Sequence, residues 1–276
     1  SLLRDEKDEV RGVILIFQDI TTMVHMQERV RSQERLATVG SLAAGIAHEI
    51  RNPLASLSGS IQVLQGELDL KGDNRHLMDI VVRETDRLNS IITDFLEYAL
   101  PKTAQDDRIV LSSLLEETIT LLKNSKEFVE GISISCNVDP MITTRGDARR
   151  MRQVFWNLLI NSCQAMPNGG AMTIGATPVS FGEVDSAWCE IVIADTGQGI
   201  SREHLAKIFD PFFTTKIGGT GLGLAIAYRI IEDHGGTIAV ETEEGKGTKF
   251  RILIPMIEEP SHSEMPNARI RHRIVS

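Results

Sequence analysis

The sequence predicts two architectures in one chain: a helical hairpin that dimerises into a four-helix bundle, followed by an α/β sandwich with helices on one face of a mixed sheet. Three observations carry this. As far as Tyr98 the apolar residues step by 3 and 4, the seam spacing of packed helices. Beyond Pro101 the spacing drops to two, as at Ile132, Ile134, Cys136 and Val138. Helical patterns then separate one alternating stretch from the next.

The elements follow in order. Arg11 to Ile20 reads as one buried strand. A lone strand cannot bury itself, so residues 1–20 are expected to be the last strand of a larger sheet, and the chain a fragment of a longer protein. Residues 21–34 form a connecting helix. The first bundle helix carries Val39, Leu42, Ile46, Ile50, Leu54, Leu57, Ile61, Leu64 and Leu68. Gly72-Asp73-Asn74 marks the turn. The second helix carries Leu77, Val81, Glu84, Leu88, Ile91, Phe95 and Tyr98, a seam broken by Glu84 alone. A hairpin with one narrow apolar stripe leaves that surface uncovered, and pairing two hairpins covers it; a homodimer of the 35–101 region is therefore expected. Pro101 ends the helix and residues 102–108 are a linker. From 109 to 257, strands at Ile132–Val138, around Ile191 and Ile193, at Ile238 and Val240, and at Phe250–Ile254 alternate with helices at Leu114–Leu122, Ala148–Met166 and Leu222–Asp233. Residues 258–276 have no sustained pattern and are expected to be disordered.

Composition narrows the function. The 29 Lys and Arg against 38 Asp and Glu leave a net charge of −9, which argues against nucleic acid as the main ligand. No run approaches the roughly 18 apolar residues that cross a bilayer, and no signal peptide opens the chain. This piece is thus expected to be cytoplasmic and to make no membrane contact itself, although the full-length protein could be anchored in an inner membrane. Cys136, Cys163 and Cys189 lack metal or disulfide spacing and read as buried reduced thiols.

The chemistry-bearing residues fall in five places. His48 lies two residues from each of the seam positions Ile46 and Ile50, so at about 100° per residue its imidazole faces solvent. Glu49 adjoins it and can fix the ring tautomer, while Asn52, one turn on, shares its face. Gln153, Asn157 and Asn161 stack amides one turn apart, a suitable surface for Mg²⁺ and phosphates. Asp195-Thr196-Gly197-Gln198-Gly199 ends a strand with an acid that could accept from an exocyclic amine such as adenine's, and with glycines that admit a flat ring. Phe209-Asp210-Pro211-Phe212-Phe213-Thr214-Thr215-Lys216 is an anchored loop whose lysine could reach phosphates. Gly218-Gly219-Thr220-Gly221-Leu222-Gly223 runs into a helix, which makes an anion-binding nest and a hinged lid. Any one of these has an ordinary structural explanation. Together and in order they do not.

On these motifs the chain resembles the sensor histidine kinases of two-component systems, and its second domain resembles the ATP-binding family shared with gyrase, Hsp90 and MutL. The resemblance covers about Thr21 to Pro255, and residues 1–20 resemble the end of a PAS domain. It implies that ATP and Mg²⁺ are the cofactors. His48 would be the phosphorylated residue, Glu49 its base, and Asn52 the amide that orients water for dephosphorylation. Asn157 and Asn161 would hold phosphates and metal, with Asn161 the metal ligand. Asp195, with Gly197 and Gly199, would read adenine. Lys216, Gly219, Thr220, Gly221, Leu222 and Gly223 would close over the triphosphate. The receiver domain of a response regulator would be the partner. Two alternatives compete: an ATP-binding scaffold without chemistry, and an ATPase clamp. The clamp requires a carboxylate where this chain has Asn157, whose amide has no useful basicity.

Overall fold

The computed structural model describes residues 2–4, 10–13, 50, 52–61, 63–64, 73–99, 106–180, 187–216 and 219–257. It divides the chain into two compact units, one of residues 1–92 with 99–101 and one of residues 93–98 with 102–276. His48 and Glu49 lie outside the described residues, as does the linker helix expected at 21–34.

In the first unit, β1 (Leu2–Arg4) pairs antiparallel with β2 (Val10–Val13), placing Leu2 opposite Val13. β2 falls at the start of the strand read at Arg11 to Ile20, the remainder of which lies outside the described residues, and β1 is an added partner strand. Three residues are too few to display an alternation. Helix α1 includes residues 52–61; Leu54 is buried, while Asn52 and Pro53 are exposed. Ser56 and Ser60 donate their hydroxyls to the carbonyls of Asn52 and Ser56, one turn back.

Helix α2 (Asp73–Ala99) begins inside the expected turn and runs for 27 residues. Two stripes stand side by side on it. Met78, Val82, Asn89 and Ile92 are half-buried and Thr85 is buried. One residue back, Leu77, Val81 and Leu88 are large and apolar yet 46–59% exposed, with Ile50, Leu57 and Leu64 exposed likewise. The seam read from the sequence is thus uncovered in part, since its Leu54 is buried and its Ile61, Ile91, Phe95 and Tyr98 are half-buried.

The second unit contains a five-stranded sheet of order β4-β6-β7-β9-β8: β4 (Ile132–Val138), β6 (Gly170–Ser180), β7 (Ala187–Asp195), β9 (Gly247–Pro255) and β8 (Thr237–Glu243). Only the β4–β6 pairing is parallel. The registers align buried residues across the sheet, Ile174 with Ile193, Ile193 with Phe250 and Ile191 with Ile252. Those side chains meet helices α3 (Leu111–Lys123), α4 (Ala148–Ala165) and α6 (Gly223–Asp233) in one core that includes the fully buried Phe155, Leu158 and Leu159. A short helix, α5 (Arg202–Leu205), follows β7. Cys163 and Cys189 are buried as expected, and burial pushes the Cys189 thiol up to about 12; Cys136, on β4 at the sheet edge, is exposed instead.

Two features escaped the sequence pattern. Strand β3 (Asp107–Val110) starts within the expected linker and pairs with β5 (Thr143–Gly146). Strand β6 contains two glycines and Pro178, residues poor at forming strands, and its alternation survives only as the buried Met172, Ile174 and Ala176.

Helix α4 is started by Asp147, whose carboxylate accepts the backbone N–H groups of Arg149 at 2.9 Å and Arg150 at 3.3 Å. From the α6 end, His234 accepts the Asp147 N–H through Nε2 at 3.1 Å. Burial alone would raise the Asp147 pKa, but the two backbone bonds and the Arg149 charge together hold it below the usual carboxylate range. A depressed folded-state pKa contributes stability above the unfolded pKa that is lost as pH falls through the folded one. Asp147→Ala should therefore cost about 1 kcal/mol at neutral pH, Asp147→Asn less, with urea melts of variant and parent converging as the pH is lowered through that range.

Candidate functional site

A cavity of about 600 Å³ opens in the second unit between α4, the turn after β7 and the glycine-rich segment that leads into α6. Asn157, Asn161, Asp195, Gly199, Lys216, Gly219, Thr220, Gly221 and Gly223 all line it. Of the expected nucleotide-binding residues, only Gly197 and Leu222 do not.

Asp195 lies at the C-terminus of β7 and is 7% exposed. Ser162 donates its hydroxyl to one carboxylate oxygen at 3.0 Å. The other oxygen accepts the N–H of Gly197 at 2.9 Å and that of Thr248 at 3.2 Å. Three donors from three elements fix the plane of the carboxylate and leave acceptor capacity facing the cavity. Gly247 makes this possible: its φ is 111°, and a Cβ there would lie 2.0 Å from the Asp195 carbonyl oxygen. Gly197 supports the turn from behind, since a Cβ on it would come within 2.7 Å of Ala165. It shapes the cavity without facing it.

Along α4, the three amides expected to act together do three different things. Gln153 donates to the Glu97 carboxylate, away from the cavity. This corrects the single amide face inferred from spacing; an acceptor on residues 93–98, invisible to periodicity, captures it. Asn157 donates its Nδ2 to the Gly223 carbonyl at 2.9 Å and so ties α4 to the start of α6. Asn161 directs its Oδ1 to the Lys216 ammonium at 2.6 Å, and Gln164 adds its Oε1 to the same ammonium at 2.5 Å. Lys216 is exposed as a residue, but its ammonium end is drawn onto these amides. Desolvation there, opposed by the Asp195 charge, lowers its pKa to about 8.

The glycine-rich segment is held at several points. Gly221 has φ 69°, and a Cβ on it would lie 2.4 Å from the Phe212 carbonyl carbon. Phe212 itself has φ 66°, which no other non-glycine residue among those described shares in sign. Its ring lies 6.4 Å from that of Phe95. Thr220 donates to Asp94 at 3.2 Å and accepts the Leu222 N–H at 3.3 Å. Burial raises the Asp94 pKa, against the lowering effect of the Thr220 bond. Leu222 is fully buried in the core, so its side chain anchors the segment and does not reach a ligand. This corrects its expected place in the site.

Ser162, Gln164 and Asp94 are among the residues that line or shape this cavity and were missed from the sequence. Gln164 had a signal, being three residues from Asn161 and so on its face of α4. Asp94 had none, because it reaches the cavity through tertiary structure. Among the described residues no cluster of three His, Cys, Asp or Glu could hold a metal, and no helix is long and apolar enough to cross a membrane.

Residues 146–258 match the family of histidine kinase-, DNA gyrase B-, and HSP90-like ATPases, and residues 38–103 match the His Kinase A (phospho-acceptor) domain. Sporulation kinase E of Bacillus subtilis (strain 168) is 38% identical over 244 residues, 88% of this chain and 32% of that protein. Full-length ShkA in complex with AMPPNP has a TM-score of 0.66 at 27% identity, over 78% of this chain and 46% of its own. Histidine kinase ThkA in complex with the response regulator TrrA has a TM-score of 0.58 at 30% identity, over 93% of this chain and 74% of its own. The chain spans between about a third and a half of the first curated relatives it matches. With a phospho-acceptor match preceding an ATPase match, and with the cavity lying in the second, the chain belongs to the histidine kinases.

Proposed function

We propose that this chain binds Mg-ATP in the cavity of its second unit, transfers the γ-phosphoryl group to His48, and passes it from there to an aspartate on the receiver domain of a response regulator. The observation that carries this is the lining of the cavity, which brings together a fixed, buried carboxylate acceptor and an ammonium held on amide oxygens. Such a pair suits a purine nucleotide with a triphosphate tail, which offers an exocyclic amine and needs a cation for its phosphates.

In this reading Asp195 accepts from the adenine amine, with Gly197 and Gly199 letting the ring lie close. The segment Gly219 to Gly223 closes over the triphosphate, and Lys216 neutralises it. The neutral oxygen donors on α4 suit a hard cation such as Mg²⁺, and Asn161 would hold it. When bound, the metal supplies charge neutralisation at the phosphate oxygens. Glu49 orients the His48 imidazole and takes its proton. A ring nitrogen forms the bond to phosphorus as the bond to the β-phosphate oxygen breaks, and ADP leaves. Asn52, exposed on α1, would orient a water that hydrolyses the phosphoaspartate of the regulator, a separate phosphatase activity. The uncovered Leu77, Val81 and Leu88 stripe supports a homodimer through the 35–101 region. Residues 1–20 are assigned to the end of a PAS-like sensor, and the whole fragment to the cytoplasm.

The scaffold reading is disfavoured because His48, Asn161 and the lid glycines are all present. The clamp reading is disfavoured because Asn157 is spent on the Gly223 carbonyl and offers no base.

Incubation with Mg²⁺ and γ-labelled ATP should give acid-labile, alkali-stable label on this chain and none on a His48→Gln variant. Label persisting in the variant would move the acceptor elsewhere. Ser162→Ala removes one of the three bonds that orient Asp195, and at about 1 kcal/mol should weaken ATP binding roughly fivefold, as read by equilibrium titration.

A further inference from the structure

Building on the nucleotide reading, we propose that Gln164 is a cation ligand beside Asn161, and that the Lys216 ammonium occupies their oxygen pair as a stand-in for the divalent cation until a triphosphate brings one. The spacing of Asn157 and Asn161 directs attention one turn too early along α4. Asn157 has turned its amide nitrogen to the Gly223 carbonyl. The two oxygens that converge on one positive charge belong to Asn161 and Gln164, at 2.6 and 2.5 Å from Nζ. Distances this short mark charge-assisted bonds. The residues are three apart on an 18-residue helix whose other face is locked into the core by Val154, Phe155, Leu158 and Leu159, so the oxygens are presented by a rigid element.

The pair is uncharged, and that determines how it works. Amide oxygens alone cannot compensate the dehydration of a small divalent cation; the phosphate oxygens of the incoming nucleotide supply the missing charge. Until they arrive, a tethered ammonium is the cation best matched to the site. Lys216 is moored at the base of the glycine-rich segment, its N–H bonded to the Thr214 hydroxyl at 3.1 Å and its carbonyl to the Gly219 N–H at 3.2 Å. Displaced from the amides, its ammonium stays tethered beside the cavity and becomes free to meet the phosphates. Exchange of one cation for the other thus links metal arrival to the engagement of the segment that covers the triphosphate.

The test is binding of a fluorescent ATP analogue to the full chain, first in EDTA and then along a MgCl₂ titration. Gln164 is exposed, so its replacement leaves the core untouched. Gln164→Leu should raise the Mg²⁺ concentration for half-maximal enhancement about tenfold, with affinity in EDTA within about twofold of the parent. Gln164→Glu should restore or lower that concentration. Lys216→Met should also lower it, by removing the competitor, while weakening binding in EDTA. The proposal is overturned if Gln164→Leu weakens binding equally with and without Mg²⁺, or if Lys216→Met leaves the Mg²⁺ requirement unchanged. Failure of the parent chain to bind the analogue in either condition would overturn the nucleotide reading itself, a separate result.

Discussion

The second unit depends on the way one buried carboxylate is held. Asp195 receives Ser162 from α4, Gly197 from the turn after β7 and Thr248 from β9. Each bond is ordinary in strength, of the order of 1 kcal/mol, but each originates in a different element. The three together fix α4 over the sheet and position the turn that floors the cavity. Gly247 is a condition of the arrangement, because any side chain there would collide with the backbone of Asp195 itself. Fold and site therefore share their central interaction, and a substitution that disturbs it perturbs both.

Helix α4 divides its circumference between these tasks. Its apolar face fills the core, and its polar residues divide among three partners: Gln153 for Glu97, Asn157 for the α6 start, and Asn161 with Gln164 for the Lys216 ammonium. The partner segments are themselves constrained. Phe212 sits in a backbone region that non-glycine residues rarely adopt, pressed close to Gly221, and such conformations persist only where surrounding contacts over-determine them. The strain falls where the chain turns from the Phe-Pro-Phe segment into the glycine-rich one.

Much of this was legible in the sequence because it rests on local rules. The seam of α2, the helical period of α4, the acid-glycine turn after β7 and the glycine run before α6 each follow from spacing within a few residues. What was not legible depends on partners far along the chain. The spacing of Gln153, Asn157 and Asn161 predicted one amide face, but not that Glu97 and the Gly223 carbonyl would claim two of the three. Leu222 stands inside a glycine motif and looked like part of the site; an apolar side chain at that point turns into the core, and only packing reveals it. Strand β6 was hidden by its own composition, since glycine, alanine and proline carry little alternation to read.

Helix α2 shows the same interplay. Its two stripes are offset by one residue, Leu77 beside Met78, Val81 beside Val82, Leu88 beside Asn89 and Ile91 beside Ile92. Adjacent stripes about 100° apart make one broad apolar arc, wider than the seam that a single partner helix can cover. The chain buries or half-buries the Met78, Val82, Thr85, Asn89, Ile92 side of that arc and leaves most of the other side in water. Glu84, the one break in the exposed stripe, pairs with Arg87 at 3.3 Å on its own helix. An exposed pair of that kind contributes little stability. Its carboxylate is nevertheless tolerable only where solvent can reach it, so a second copy seated on this stripe, as proposed above, would have to leave water at the Glu84 layer.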